Sequence, residues 1–228
     1  GTQVRIGIAR DAAFGFYYPG DIEALQAAGA ELVSFDTLHS TALPAVDGLF
    51  IGGGFPEVHM EALSANQGLR RELRTAIEGG MPAYAECGGL MYLARSIEWN
   101  GRSAAMIGVI PADIVMHRRP VGRGYVQLRE TGKSPWPRAG AAHAPLIRAH
   151  EFHYSSVENL PPGTQFAYQV ERGHGVDGRG DGIVYKNLLA SYSHLRDVGS
   201  HHWAARFVDF VRRCKIDRRL HSGLAKSA

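Results

Sequence analysis

Two hydrophobic rhythms divide the chain. In the first half, short unbroken apolar runs recur between stretches with helical spacing. Val4-Arg-Ile-Gly-Ile-Ala is one such run, continuous enough to predict a strand covered on both faces. Glu31-Leu-Val-Ser-Phe, Gly48-Leu-Phe-Ile and Pro82-Ala-Tyr-Ala are the others. Between the first two, Asp21-Ile-Glu-Ala-Leu-Gln-Ala-Ala-Gly predicts a helix with an acidic start and a glycine stop. A second helical stretch runs from about residue 56 to 78 and breaks near 66–68. Strands alternating with helices predict an α/β fold with a parallel sheet, which places ligands at the carboxyl ends of the strands.

From about residue 106 to 195 the period shortens to two. Gly124-Tyr-Val-Gln-Leu-Arg, His150-Glu-Phe-His-Tyr-Ser and Gln165-Phe-Ala-Tyr-Gln-Val predict partly exposed antiparallel strands. Loops at 132–149 and 172–182, rich in Gly, Pro and charge, are the expected mobile parts. A last helix is predicted from an N-cap at Ser200. Trp203, Phe207, Phe210, Val211 and Cys214 share one of its faces, which assigns Cys214 to the core. No internal repeat and no interdomain linker interrupts the pattern.

Two of the apolar runs end abruptly in glycine, and candidate chemistry sits there. Met81-Pro-Ala-Tyr-Ala-Glu-Cys-Gly-Gly-Leu-Met-Tyr-Leu passes from a strand pattern to a helix pattern at Cys87. That is the layout of a nucleophile elbow, a tight turn that lifts one reactive side chain above a sheet edge. A helix starting at the thiol favours the thiolate. The alternative is a buried core cysteine. Val46-Asp-Gly-Leu-Phe-Ile-Gly-Gly-Gly-Phe-Pro-Glu ends the same way. Its loop can aim N–H groups of Gly53 or Gly54 at a developing oxyanion, with the N–H of Gly88 as second donor. A plain turn is the alternative. A phosphate loop fits poorly, since neither Gly-Lys-Ser/Thr nor G-x-G-x-x-G is present. Far downstream, the apolar run Asn187-Leu-Leu-Ala-Ser-Tyr-Ser delivers His194 at its end. A neutral imidazole there can take the thiol proton and later protonate a leaving amine. There are 11 histidines, and strand-end placement favours His194 over His201 and His202.

These residues carry a family resemblance. The stretches Ala9-Arg-Asp-Ala-Ala-Phe-Gly-Phe-Tyr-Tyr, Ile51-Gly-Gly-Gly-Phe-Pro-Glu, Ala85-Glu-Cys-Gly-Gly-Leu-Met-Tyr-Leu, Gly124-Tyr, His150-Glu-Phe-His-Tyr-Ser and Leu189-Ala-Ser-Tyr-Ser-His-Leu occur in this order. The chain resembles the glutamine amidotransferase domain of the cobyrinic acid a,c-diamide synthase family, within the class I (triad-type) amidotransferases. The resemblance covers about residues 4 to 213. It implies a flavodoxin-like α/β domain with a mostly parallel central sheet, helices on both faces and a strand-rich second half. It also implies glutamine hydrolysis at Cys87. The ammonia passes to a tetrapyrrole carboxylate activated by a separate synthetase domain that uses ATP and Mg²⁺. Most class I members carry His-x-Glu, whose Glu orients the histidine. Here the residues are His194-Leu195-Arg196, so a backbone carbonyl or Asp197 is left to orient His194. In the resembled family the edge after the first strand faces the synthetase, which assigns Phe14, Phe16, Tyr17 and Tyr18 to an interface, with core cover as the alternative. Glu151, His153, Tyr154 and Ser155 are candidates for the glutamine pocket or the domain contact. Odd positions put Glu151 and His153 on one face of a regular strand.

Composition bounds the rest. The chain has 228 residues, 45% of them apolar, enough for one substantial core. The domain is expected over 4–214, with a basic, disordered tail over 215–228. Net charge is +3, and the tail lacks the aromatic interleaving that nucleic-acid binding uses. No run of 18 apolar residues predicts a membrane span, and no signal-peptide pattern opens the chain. Two cysteines form no disulfide framework, which points to a reducing cytoplasm. No ATP-binding loop and no metal-ligand spacing is present. The opening Gly-Thr-Gln fits an excised domain with a tag remnant. Alternatives remain: a siroheme-amidating relative, since Leu-Arg-Asp-Val-Gly follows His194; an interaction module with a vestigial Cys87; and, less well fitted, a DJ-1-like cysteine hydrolase.

Overall fold

Parallel pairing on both sides explains why the first strand, β1 (Val4–Ala9), is apolar without alternation. A computed structural model describes residues 2–137, 145–199 and 201–227. After β1 come β2 (Phe14–Phe16), α1 (Pro19–Ala27), β3 (Ala30–Phe35), β4 (Gly48–Ile51) and β5 (Gly53–Gly54). A 3-10 turn (Pro56–His59) leads into α2 (Met60–Ala65) and α3 (Gln67–Glu78). Then follow β6 (Ala83–Glu86), α4 (Gly88–Leu93), β7 (Ala94–Trp99), β8 (Arg102–Ala105) and β9 (Ile110–Met116). The second half supplies β10 (Gly122–Glu130), β11 (Ile147–His153), β12 (Ser155–Glu158), β13 (Gln165–Arg172), β14 (Gly180–Tyr185), β15 (Leu188–Ser191) and α5 (Trp203–Lys226).

The main sheet has the order β11-β10-β13-β14-β15-β6-β4-β1-β3. From β15 to β3 all pairs are parallel; from β14 outward they are antiparallel. The division falls where the sequence period changes. One face packs on α1 and α5 through Leu25, Trp203, Phe207 and Val211. The other packs on α2, α3 and α4 through Leu63, Leu69, Leu73, Ile77 and Leu90. Leu69, Leu73 and Ile77 recur at i, i+4, i+8, the spacing that keeps one helix face inward.

Two features depart from the sequence reading, and two others fall wholly or partly outside the described residues. The helix after Cys87 runs only six residues. Its continuation joins a second sheet, β12-β9-β7-β8, because Asn100 and Gly101, both at positive φ, close a two-residue hairpin between β7 and β8. The N-cap assigned to Ser200 lies outside the described residues. The helix begins at Trp203, and the Asp197 carboxylate accepts from the Ala204 N–H at 3.0 Å. The expected disordered tail is instead the continuation of α5 to Lys226, exposed but helical. Lys215 ties it to Asp47 Oδ2 (3.1 Å) and Gln3 O (3.0 Å). Of the expected loop at 132–149, residues 138–144 lie outside the described residues. Trp136 in it is fully buried against Tyr84 and Phe207. Among the described residues no helix is long and apolar enough to cross a membrane.

Asp181 is a buried hub of the sheet. Its carboxylate accepts from the N–H groups of Gly182 (2.9 Å), Tyr192 (2.9 Å) and Ser193 (3.0 Å) and from Ser193 Oγ (2.6 Å). Burial raises its pKa, and these donors counteract the rise. Asp181→Ala would leave several buried donors unsatisfied. The expected loss is about 3 kcal/mol or more of unfolding free energy, read from the urea midpoint at unchanged m.

Candidate active site

Register brings three strand ends together. β6 lies between β4 and β15, with Ile51 beside Ala85 and Ser191 beside Glu86. The residues that follow each strand therefore meet above one edge: Gly52–Gly54, Cys87 and His194. Cys87 has φ 48°, in the left-handed region that side chains other than glycine rarely adopt. Its N–H bonds Ser191 O at 2.8 Å and its carbonyl accepts from Met91 at 3.2 Å, which hold the turn. Cys87 is 7% exposed, and its Sγ lies 3.5 Å from Phe152 O.

The triple glycine is needed for close approach. None of Gly52, Gly53 and Gly54 has positive φ. A Cβ on Gly54 would stand 1.9 Å from Ala13 O, and one on Gly53 would stand 2.8 Å from His194 Cε1. A Cβ on Gly88 would stand 3.0 Å from the Gly54 nitrogen, so the two candidate oxyanion loops touch. β5 pairs antiparallel with β2, and Tyr17 Oη accepts the Gly52 N–H (3.0 Å) while donating to Ala9 O (2.6 Å). Gly54→Ala should unseat β2 from β5 and disable the site at Cys87 without unfolding the main sheet. Circular dichroism and turnover, measured together, check this.

His194 is 5% exposed, and its N–H bonds His150 O at 2.7 Å. The carboxylate that faces it is Glu86, the residue before Cys87. Glu86 Oε1 lies 3.5 Å from His194 Nδ1, an electrostatic approach longer than a formed hydrogen bond. Oε2 accepts from the Leu195 N–H at 2.7 Å and from Tyr84 Oη. Asp197, the sequence candidate for this role, is instead bound to His202 Nδ1 and the start of α5. Burial lowers the pKa of His194, but Cys87 and Glu86 outweigh it and push it up to about 10. The imidazole is therefore protonated at neutral pH, where the sequence reading took it as neutral. Because its folded pKa lies above the ordinary 6.5, its stabilisation is complete below pH 6.5 and fades as pH rises through about 10. Stability measured from pH 7 to 10 should fall more in the wild type than in His194→Ala.

Two recesses open at Cys87. One of about 260 Å³ is walled by Phe16, Gly53, Gly54, Phe55, His150, Phe152 and His194. The other, about 40 Å³, lies on the side of Glu57, Met91, Met116, His153, Tyr154 and Ser155. Of the four candidate substrate residues, His153, Tyr154 and Ser155 line this narrow recess, and Glu151 does not. Glu151 is buried on the same face as His153, as alternation requires. It accepts from the N–H groups of His174 (2.8 Å) and Gly175 (2.9 Å) and faces His153 Nε2 at 3.3 Å. Burial raises its pKa, yet His153 and the two N–H groups bring it below the usual range. Glu151 is thus a structural clamp. His153 stacks on Tyr192 at 3.7 Å, and Ser155 Oγ meets Tyr192 Oη at 2.7 Å.

The proposed aromatic interface divides. Phe14 is fully buried, 5.3 Å from the Tyr92 ring, and Tyr17 packs edge-on against Phe50. Phe14 is core, and Tyr17, just past β2, is partly buried against the core. Phe16 is 51% exposed and edge-on to His194 at 5.2 Å; Tyr18 lies beside it under Arg196. Sequence reasoning missed Glu86 because it searched after the histidine. The signal was the acidic residue inside an apolar strand. Among the described residues no three His, Cys, Asp or Glu side chains group to hold a metal ion.

The fold recurs in glutamine amidotransferase structures. A glutamine amidotransferase from Thermotoga maritima superposes with TM-score 0.58 at 16% identity, covering 96% of this chain and 89% of that one. PurLQS from the same organism gives TM-score 0.68 at 15% identity, covering 93% of this chain and 99% of that one. At such identity the likeness shows the fold alone. The sequence profile of the CobB/CobQ-like glutamine amidotransferase domain matches residues 5–198, and the chain belongs to that family. Among curated relatives, cobyrinate a,c-diamide synthase of Magnetococcus marinus is 49% identical over 212 residues, 93% of this chain and 44% of the relative. That of Archaeoglobus fulgidus is 42% identical over 205 residues, 90% of this chain and 43% of the relative. The chain spans less than half the length of these relatives.

Proposed function

We propose that this chain is the glutaminase part of a cobyrinate a,c-diamide synthase, supplying ammonia to a synthetase domain that activates the tetrapyrrole carboxylates with ATP and Mg²⁺. The observation that carries the reading is the meeting of Cys87, His194 and Glu86 at neighbouring strand ends beside a glycine loop. A cationic His194 stabilises negative charge on the sulfur. Cys87 Sγ attacks the glutamine amide carbon, and N–H groups of Gly88 and of Gly53 or Gly54 receive the oxyanion. His194 gives its proton to the amide nitrogen, the C–N bond breaks, and ammonia leaves a γ-glutamyl thioester. Water then attacks the thioester. His194 takes a proton from the water and is protonated again, while glutamate departs and the thiolate reforms. Glu86 acts through His194 as a positioning residue and holds it cationic. Both cysteines are free, which suits a reducing cytoplasm.

Phe16 pairs with Gly53, touches His194 and is half exposed. A synthetase domain seated on Phe16 and Tyr18 would therefore press on both the oxyanion loop and the imidazole. The isolated chain is expected to hydrolyse glutamine slowly and to accelerate only with the synthetase domain, ATP and the tetrapyrrole together. Ammonia release, measured with each component omitted in turn, tests the reading. Equal rates throughout would make the chain a constitutive hydrolase.

A further inference from the structure

The two recesses share Gly54, Phe55, Cys87 and Phe152, and His194 lines the wide one but not the narrow one. In the reading above, the leaving nitrogen takes its proton from His194. Ammonia therefore departs into the wide recess, whose walls include Phe16, Phe55 and Phe152. The narrow recess, which His194 does not line, is then the one left for the acyl chain of the substrate. Met91 and Met116 line it, polarisable thioethers that adapt to methylene groups. Its other polar groups are largely committed: both ring nitrogens of His153 face Ser155 O and Glu151, and Ser155 Oγ meets Tyr192 Oη. Glu57 contributes the only carboxylate among the lining residues, and it forms no salt bridge among the described residues. Burial raises its pKa, and its own backbone N–H and His59 restrain the rise, so an entering cation would relieve a desolvated anion. The backbone fixes its place: Pro56 starts the 3-10 turn directly after the glycine loop, so Glu57 is held against the elbow.

We propose that Glu57 forms a subsite for the α-ammonium group of the substrate. The narrow recess thereby selects α-amino acid amides over amides that lack the ammonium. The assignment rests on the reading of Cys87 as a glutamine-directed nucleophile. At about 40 Å³ the recess must widen to admit such a chain. Phe55 and Tyr154 at its mouth are 63% and 36% exposed, so they can swing outward without opening the core.

The test alkylates Cys87 in the full-length protein with two matched reagents. One is 6-diazo-5-oxonorleucine, an α-amino acid; the other is the same diazoketone acid without the amino group. Mass spectrometry reads the rate of adduct formation on Cys87. The wild type should react about 10- to 100-fold faster with the amino reagent, the range for one charge-assisted contact. Glu57→Gln should lose most of that preference by slowing the amino reagent alone. The amine-free reagent reports that the fold and the nucleophile survive. A preference that persists in Glu57→Gln, or an equal slowing of both reagents, overturns the subsite. Failure of both reagents to label the wild-type Cys87 overturns the glutamine reading, and the subsite with it.

Discussion

Cys87→Ala is expected to abolish glutamine-dependent amidation in the full-length protein and to leave ammonia-dependent amidation intact. Among the described residues that line the two recesses Cys87 is the only thiol, and the turn that carries it can accept alanine. Its backbone bonds to Ser191 and Met91 use no side-chain atom. The loss should therefore reach the background of uncatalysed hydrolysis, while the synthetase half accepts free ammonia as before. Cys214 provides the internal control: it is half-buried on α5 beneath the opposite face of the sheet, remote from the glycine loops. A glutamine-directed electrophile should mark Cys87 and spare Cys214. An adduct on Cys214, or ammonia-dependent amidation lost together with the glutamine-dependent kind, would refute the assignment.

His194→Ala should lower glutaminase kcat by about 10²–10⁴-fold, the range for removal of one general acid–base group. Glu86→Gln should act more gently on rate and more tellingly on pH. With the imidazolium as the working form, the alkaline limb of the kcat/KM profile reports His194 and should lie near pH 10. Removal of the Glu86 charge takes away one of the two influences that raise that pKa, so the limb should move to lower pH. Glutamine in place of glutamate can still accept from Leu195 N–H through its carbonyl oxygen, which keeps the loop in place. An alkaline limb that does not move in Glu86→Gln would leave the carboxylate a purely structural role.

Much of this site could be read from local pattern. An apolar run broken by glycines locates a strand end at the sheet edge, and β4 and β6 both behave that way. The distant histidine was legible because β15 is also a short buried strand with its polar residue at the end. Glu86 was not, because its partner is set by parallel pairing of β6 with β15, which no local spacing encodes. Phe14 and Tyr17 looked like surface because four aromatics crowd a loop. The antiparallel contact of β2 with the glycine loop turns two of them inward. The hairpin at Asn100-Gly101 carried a clear turn signal, but a helical pattern after Cys87 concealed it. On α5, the repeating inward face foretold the first turns. The last turns carry one apolar stripe, Ile216, Leu220 and Leu224, that stays exposed, and the helix is tethered ahead of it by Lys215 to Asp47.

Glu86 and Cys87 are neighbours in the chain, yet alternation along β6 sends them to different layers of the protein. Glu86 reaches toward Tyr84, which lies in the core beneath α1 and α5, while Cys87 joins the core of α2 and α4. The proposed nucleophile and the anion that faces its partner thus share one five-residue word, Tyr84 to Gly88. A carboxylate carried after the histidine has to be retained independently of the cysteine. In this arrangement a transplanted elbow would bring its own electrostatics along, provided that the recipient sheet offers a histidine on the adjacent parallel strand.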